Sequence, residues 1–229
     1  MPTYSSKEDC FVRLYSLLYK KIIQPFKIKT LDKTKFLQLE IGPGDNPIEG
    51  FLTLNLIKDK NTSFVSDSFS PLPFEDNTFD IIYASHVFEH CPWYMHKKVL
   101  AEWKRILKPN GCLEIWVPDG LKIAESFVNA EKIGSLEWLN DNWFRFNEEK
   151  DSCVWFSGRM FSYGDGSGNR NHRNWHLSCF SERYLRKLYS ESGLVNIERL
   201  EHKDCRGYDH GWINLGISGR KITPQSNLK

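Results

Sequence analysis

The stretch Leu37-Gln-Leu-Glu-Ile-Gly-Pro-Gly-Asp-Asn-Pro47 decides how the chain folds. It joins an apolar run of strand length, residues 36–41, to a Gly-x-Gly turn. Glycines in such a turn let backbone N–H groups approach a ligand without a clash from Cβ. Taken alone, Gly42-Pro-Gly44 fits an ordinary tight turn equally well, so its interpretation depends on the rest of the chain.

Short apolar runs separated by turn residues follow this turn. The runs of strand length cover residues 36–41, 51–57, 63–66, 79–85 and 112–117. Their continuous apolarity indicates strands buried on both faces, as in a parallel sheet. Residues 92–107 place apolar side chains on one helical face, and residues 108–111 form a helix stop and turn. This strand–helix–strand order predicts a βαβ unit.

The flanking regions predict further helices and an antiparallel sheet edge. Residues 7–23 have helical spacing, with Pro25 expected to stop the helix. Residues 120–180 hold one predicted helix, 121–133, followed by an irregular stretch. A helix over 181–192 precedes two strands, 194–200 and 212–218, which suit an antiparallel pair at the edge of the sheet.

Composition excludes several classes of protein. Of 229 residues, 40% are hydrophobic and 26% charged, as in ordinary globular proteins. Lys and Arg number 31 against 29 Asp and Glu, without the basic stripe typical of nucleic-acid binding. No apolar run approaches the ~18 residues of a membrane helix, and the polar first residues predict no signal peptide. Six cysteines without a Cys-x-x-Cys pair indicate reduced thiols in a cytoplasmic protein.

Three motifs in series carry a family resemblance. Asp67 follows the third apolar run, Leu72-Pro-Phe-Glu-Asp-Asn-Thr-Phe-Asp80 leads into the fourth, and Ile106-Leu-Lys-Pro-Asn-Gly111 precedes the fifth. In order and spacing the series resembles the class I S-adenosylmethionine-dependent methyltransferases, closest to small members that modify sugars or small molecules. The match is good over residues 36–118 and loose over 181–218. It implies a doubly wound α/β fold with a mostly parallel, seven-stranded Rossmann-like sheet, here carrying an aromatic-rich insertion.

The resemblance also implies S-adenosylmethionine as cofactor and roles for the matching residues. The glycine loop would hold the cofactor, the end of the second strand its ribose and adenine, Asp67 the adenine amine, and the end of the fourth strand its methionine part. The implied cofactor-binding residues are Glu40, Gly42, Pro43, Gly44, Asn55, Leu56, Asp67, Ser68, Ser85 and His86.

Two features depart from the family pattern. Asn55 stands where the family usually has a carboxylate, and Asp59 is a potential substitute. Only residues 42–50 separate the first two strands, so the usual first helix must shrink to a turn around Asn46-Pro47. The rival is a nicotinamide-binding Rossmann domain, which needs a third glycine where this chain has Pro47.

His86-Val-Phe-Glu-His90 matches the inverted zinc-protease motif His-x-x-Glu-His. A zinc hydrolase through His86, Glu89 and His90 is thus one alternative. It needs a continuous helix, and Pro92 would interrupt that helix. We therefore interpret residues 86–91 as the exit of a strand and predict no metal site.

Four histidines are candidates for the general base that a hydroxyl acceptor needs. His86 and His90 lie at the strand exit, and His172 and His176 lie in Asn169-Arg-Asn-His-Arg-Asn-Trp-His176. In that second segment Arg170 or Arg173 could hold an anionic acceptor, or the whole segment could be a solvated loop.

Ten aromatic residues lie between positions 138 and 180. They are Trp138, Trp143, Phe144, Phe146, Trp155, Phe156, Phe161, Tyr163, Trp175 and Phe180. One interpretation is a platform that stacks on an acceptor, and the other, favoured for most of them, is a small satellite core.

We expect one domain made of an N-terminal helix (1–30), a cofactor-binding half (31–119), an acceptor-covering insertion (120–180) and a C-terminal helix with edge strands (181–220). The predicted activity is methyl transfer to a hydroxyl of a sugar or other small molecule. The alternative from another class is a non-catalytic S-adenosylmethionine-binding subunit of a glycan-synthesis complex. The oligomeric state stays open.

Overall fold

The computed structural model describes residues 6–222, with side chains from residue 11 onward. Its centre is a single seven-stranded sheet. The strands are β1 (Gln38–Ile41), β2 (Leu52–Asn55), β3 (Phe64–Val65), β4 (Phe79–Ser85), β5 (Leu107–Pro118), β6 (Leu194–Leu200) and β7 (Asn214–Lys221).

Six α-helices accompany the sheet. They are α1 (Ser6–Leu18), α2 (Gln24–Lys29), α3 (His96–Ile106), α4 (Gly120–Ile133), α5 (Ser152–Phe161) and α6 (Glu182–Glu191). Each of α4, α5 and α6 begins with a side-chain cap, since Asp119, Asp151 and Ser181 accept a backbone N–H of the first turn. Within residues 6–222, no helix is both long and apolar enough to cross a membrane.

The strand order is β3-β2-β1-β4-β5-β7-β6. Strands β1 to β5 pair in parallel, while β7 runs antiparallel to both β5 and β6. The prediction of a mostly parallel, seven-stranded, Rossmann-like sheet with an antiparallel edge pair is therefore confirmed.

The connection from β1 to β2 contains turns and no helix. The two strands still pair in parallel, with Leu39 opposite Leu52. The shortened crossover predicted from residues 42–50 is therefore present, and it leaves the glycine turn open at the carboxyl end of β1.

The segment before β4 fastens the sheet to α3. Phe74 packs edge-on against Phe64 and Phe79, each at 5.0 Å between ring centroids. The guanidinium of Arg105 donates to the carbonyl oxygens of Leu72 and Phe74. This part of the family-like motif therefore has a structural role, which is to hold α3 against the sheet.

Three details differ from the sequence predictions. Pro25 does not stop the N-terminal helix: the helix continues through a π-helical turn, Tyr19–Ile23, into α2, and Pro25 sits in the first turn of α2. The stretch predicted as irregular contains α5. The turn at 108–111 lies inside β5, marked by a register jump against β4 and by a positive φ of 62° at Asn110.

The N-terminal helices cover the β3 edge of the sheet. The side-chain amide of Gln24 accepts the N–H of Val65 at 2.7 Å and donates to the carbonyl of the same residue at 3.2 Å. Tyr19 adds a hydroxyl bond to the Ser63 carbonyl at 2.7 Å. The unpaired backbone groups of an edge strand are thus satisfied by a side chain.

The aromatic-rich insertion builds a second, smaller core around α4 and α5. Trp155 is fully buried there, beside Ile123 and Leu136. Its indole N–H donates to Asp141 at 2.9 Å, and Arg159 pairs with the same carboxylate. Phe180 instead joins the main core, and Phe146 and Phe161 are exposed. For Trp155 and its neighbours the satellite-core interpretation describes what is seen.

Candidate functional site

A cavity of about 700 Å³ opens at the carboxyl ends of β1, β2 and β4. This is where ligands of open α/β sheets bind, and the volume lies in the range of small-molecule sites. All ten residues that the resemblance implied for the cofactor line it, together with His90 and His172. His176 lies outside this lining and borders a neighbouring small cavity.

The two glycines of the first loop are needed for different reasons. Both have positive φ, 70° at Gly42 and 59° at Gly44. A Cβ added at Gly42 would lie 2.4 Å from Cγ2 of Val87, whereas one at Gly44 would meet no atom within 4 Å. Gly42 therefore allows close packing of the β4 exit, and Gly44 leaves open space on the cavity side.

Glu40 and Asn55 each have one side-chain oxygen already engaged. Glu40 Oε2 accepts the Ile48 N–H at 2.8 Å, and burial raises the pKa of this carboxyl despite that bond. Asn55 Oδ1 accepts the N–H of Leu56 at 2.8 Å, which leaves its NH₂ group for a ligand.

Asp59, the potential substitute for the missing carboxylate, does not reach the cavity. Its Oδ1 accepts the N–H of Asn61 at 2.8 Å and the hydroxyl of Thr62 at 2.6 Å, so it shapes its own loop. It is not among the lining residues.

Asp67 presents a carboxylate to the cavity. Its Oδ1 accepts the Phe69 N–H at 3.0 Å, and Oδ2 lies 3.8 Å from Nη1 of Arg173. Ser85 also lines the cavity, but its Oγ is buried and has no hydrogen-bond partner among the described residues.

Residues 170–177 form one wall of the cavity, opposite the sheet. Asn174 anchors this segment by donating to Ser162 Oγ and to the Gly164 carbonyl, at 3.1 and 2.9 Å. The backbone N–H groups of Leu177 and Ser178 both donate to the Glu89 carbonyl. The second histidine segment is therefore fixed to the β4 exit and is not a free solvated loop.

The hydrogen bonds of His86 and His172 show that neither ring has a nitrogen free to accept a proton. His86 Nε2 lies 2.8 Å from Asn214 Oδ1, and its Nδ1 lies 3.3 Å from Glu89 Oε1, so both nitrogens face acceptors. His172 Nδ1 accepts the N–H of Asn174 at 3.2 Å, which places the proton of the neutral ring on Nε2.

His90 differs from these two. Its Nδ1 lies 3.2 Å from the carbonyl oxygen of Trp175, to which it donates. The lone pair of the neutral ring is then on Nε2, and His90 lines the cavity. Among the four base candidates, His90 alone combines a cavity position with a nitrogen free to accept a proton or bind an ion.

Glu89 lies behind His90 and is 1% exposed. Neither of its carboxylate oxygens has a hydrogen-bond partner within residues 6–222. Burial would raise its pKa, but the His86 contact and the nearby His90 and His176 rings outweigh burial and lower it. Burial lowers the pKa of His176.

The structure groups these residues differently from the zinc-protease motif. Residues Phe88–His90 form a short 3₁₀ turn, not a continuous α-helix. Ligand atoms of Glu89, His90 and His176 all lie within 4.8 Å of one another. His86 instead stacks on His210, with ring centroids 3.6 Å apart. Sequence spacing did not predict this group, nor that Tyr208 and His210 line the cavity.

Comparison with known proteins gives a family for part of the chain. Residues 49–115 match the family model described as a methyltransferase domain. Over 58 residues the chain is 41% identical to sterol 24-C-methyltransferase erg6 of Schizosaccharomyces pombe. This match covers 25% of this chain and 15% of that protein. Over 60 residues it is 40% identical to demethylmenaquinone methyltransferase of Bacillus cereus, covering 25% and 24%. The matched segment thus spans less than a quarter of either relative.

Solved structures with similar chains include the carbon methyltransferase CurJ, at 13% identity and a TM-score of 0.48, covering 91% of this chain and 54% of that one. Another is Haemonchus contortus phosphoethanolamine N-methyltransferase 2 in complex with S-adenosyl-L-methionine, at 14% identity and a TM-score of 0.44, covering 92% and 52%. The similarity to a methyltransferase domain therefore covers residues 49–115, which hold β2, β3, β4, α3 and most of β5.

Proposed function

We propose that the protein is an enzyme that transfers a methyl group from S-adenosylmethionine to a hydroxyl of a sugar or other small molecule. The observation that carries this proposal is the continuity of the cavity, which runs from Asp67 and Asn55 past the glycine loop to His90. One space can therefore hold a cofactor and an acceptor end to end.

The cofactor half of the cavity offers groups of the right chemistry. Asp67 Oδ2 is an acceptor for an exocyclic amine, and the NH₂ group of Asn55 is a donor for a ribose hydroxyl. The open space beside Gly44, on the same cavity, accommodates the methionine part.

Bound S-adenosylmethionine would supply an electrophilic methyl group whose leaving group is a neutral thioether. The chain then has two tasks, to align the acceptor oxygen with the methyl group and to assist loss of the hydroxyl proton. Alignment alone can contribute roughly 7–11 kcal/mol at best. We assign the removal of this proton to His90, because it lines the cavity and its Nε2 is not engaged by the Trp175 bond.

The acceptor half is formed by residues 170–177 and by the loop around Tyr208. Trp175 supplies a ring for stacking on a sugar, and Arg170 supplies a positive charge for an anionic group. We therefore assign acceptor recognition to the 170–177 wall of the insertion, and only structural support to the satellite core. The free thiols among the described cysteines fit a reducing, cytoplasmic compartment.

One observation favours the non-catalytic alternative, an S-adenosylmethionine-binding subunit of a glycan-building assembly. Asn55 lacks the charge of a carboxylate, and its oxygen is already held by Leu56. A hydrogen bond to the ribose would then lack charge assistance.

Two measurements separate these functions. Calorimetry with S-adenosylhomocysteine tests the cofactor site, and incubation with methyl-labelled S-adenosylmethionine and a panel of sugars and small hydroxyl compounds tests transfer. We expect binding and label transfer. Binding without transfer to any compound would favour the non-catalytic subunit, and absence of binding by the folded protein would contradict both.

A further inference from the structure

We propose that Glu89, His90 and His176 bind one divalent metal ion at the acceptor end of the cavity. The role of the ion in activating a hydroxyl rests on the proposed function, whereas binding of the ion does not.

The geometry brings three ligand atoms together from two distant segments. One atom of each residue lies within 4.8 Å of the other two, and the rings of His90 and His176 meet edge-on at 5.1 Å. Two backbone bonds, from Leu177 and Ser178 to the Glu89 carbonyl, fix the segments relative to each other. A small movement of side chains would suffice to close the group around an ion.

One histidine ring is oriented as metal-bound histidines usually are. A ligating imidazole typically donates its other N–H to a carbonyl or carboxylate, which fixes the ring. His90 donates Nδ1–H to the Trp175 carbonyl, which leaves Nε2 free to ligate an ion.

Glu89 is the independent observation that indicates a ligand. Its side chain is 1% exposed, and both oxygens lack hydrogen-bond partners within the described part of the chain. Buried carboxylates are normally paired or coordinate a metal. His86 Nδ1 lies 3.3 Å from one oxygen, in a geometry that is not that of a hydrogen bond. An ion between Glu89 and the two histidines would satisfy this carboxylate.

Two imidazoles and one carboxylate indicate the kind of metal. This donor set suits Zn²⁺, Mn²⁺ or Fe²⁺, while Mg²⁺ and Ca²⁺ prefer oxygen ligands. Three protein ligands leave at least one position open, as in catalytic sites. Because His90 lines the cavity, we place that open position on the side of the acceptor space.

An ion at this position would bind the acceptor hydroxyl and ease loss of its proton to solvent water. The oxygen would then form the bond to the methyl carbon as the carbon–sulfur bond breaks, with that electron pair going to sulfur. In this arrangement His90 is a metal ligand, and its Nε2 does not act as the base.

The test is titration of the untagged full-length chain, stripped with EDTA and dialysed, with ZnCl₂ and MnCl₂ in a calorimeter. We expect binding of one ion per chain. His176→Ala and His90→Ala should weaken it by more than the about 10–100-fold that follows loss of an outer-shell partner. His202→Ala, at an exposed histidine outside the group, is the matched control and should bind as the wild type.

Thermal melts and S-adenosylhomocysteine binding show whether each variant is folded, and Glu89→Gln provides a variant of nearly the same shape. Failure of the folded wild type to bind either ion would overturn the proposal, as would stoichiometric binding that survives both histidine substitutions. Metal binding without cofactor binding would contradict the proposed function and leave the metal site standing.

Discussion

The two ends of the cavity are built in opposite ways. At the cofactor end, Glu40, Asn55 and Ser85 each stand at or beside the end of a separate parallel strand, so the sheet alone brings them together. At the acceptor end, His90 meets His176 across 86 positions of sequence, through loops that the satellite core supports. The difference teaches that strand ends can be located from patterns, whereas loop-built sites depend on contacts that no local pattern encodes.

The largest expected effect comes from a substitution in the satellite core, which should affect the acceptor end of the cavity and leave the cofactor end unchanged. Trp155→Ala should lower the free energy of unfolding by about 3–5 kcal/mol, because it empties a fully buried site and leaves Asp141 without its indole bond. The end of α5 holds His176 through the Phe161 carbonyl, so zinc binding should weaken while S-adenosylhomocysteine binding persists.

Urea unfolding and calorimetry measure these changes, with the exposed Trp138→Ala as control, expected within about 0.5 kcal/mol of wild type. Equal loss of both ligands in Trp155→Ala would show that the two ends are not independent.

The next effect concerns the glycine loop. Gly42→Ala should destabilise the protein by about 2–4 kcal/mol, because its Cβ would overlap Val87 and its φ is positive. Gly168 also has a positive φ, but a Cβ added there would meet no atom within 4 Å, so Gly168→Ala should lower the free energy of unfolding by about 1 kcal/mol. Chemical denaturation compares the two variants. Similar losses of unfolding free energy would mean that the Val87 side chain moves away from the added Cβ at little cost.

Asp67→Asn sharpens the assignment of the cofactor end. Loss of a charge-assisted hydrogen bond to an amine should weaken S-adenosylhomocysteine binding by about 10–100-fold, corresponding to about 1.5–3 kcal/mol. Calorimetry measures the affinity, and Asp165→Asn, on an exposed loop outside the cavity, serves as control. Unchanged affinity in Asp67→Asn would remove Asp67 from the site.

The smallest effect, counted per pH unit, is a dependence of stability on pH at a histidine outside both ends. Burial lowers the pKa of His96 to about 4, below the ordinary value of 6.5. Between these values the unfolded chain binds a proton that the folded chain excludes. The free energy of unfolding should therefore fall as pH drops from 6.5 toward 4, by up to about 1.4 kcal/mol per pH unit.

Urea unfolding at pH 7, 6 and 5 checks this slope. His96→Gln should reduce it, and the exposed His202→Gln should leave it unchanged. Part of the slope should remain in His96→Gln, because burial also lowers the pKa of His210 to about 4. A slope that is identical in His96→Gln would assign the effect to other groups.

Most of the sheet could be predicted because its strands are uniformly buried and its turns carry glycine or proline. Pro25 misled the prediction because a π turn and a first-turn position can absorb a proline. Helix α5 was missed because Gly158 interrupts it; a Cβ there would meet the Trp143 ring at 2.4 Å, so the glycine serves packing and is not a breaker. The Glu89 group was missed because the motif suggested His86 as partner of His90, and only the folded loop places His176 there.

The bond pair between Gln24 and Val65 has a consequence for the protein's behaviour in concentrated solution. By bonding the free backbone edge of β3, one glutamine takes the place that a strand of a neighbouring molecule would otherwise fill. A shortened form starting after Lys29 would expose the unpaired backbone edge of β3. Such molecules would tend to pair edge to edge through this strand and precipitate.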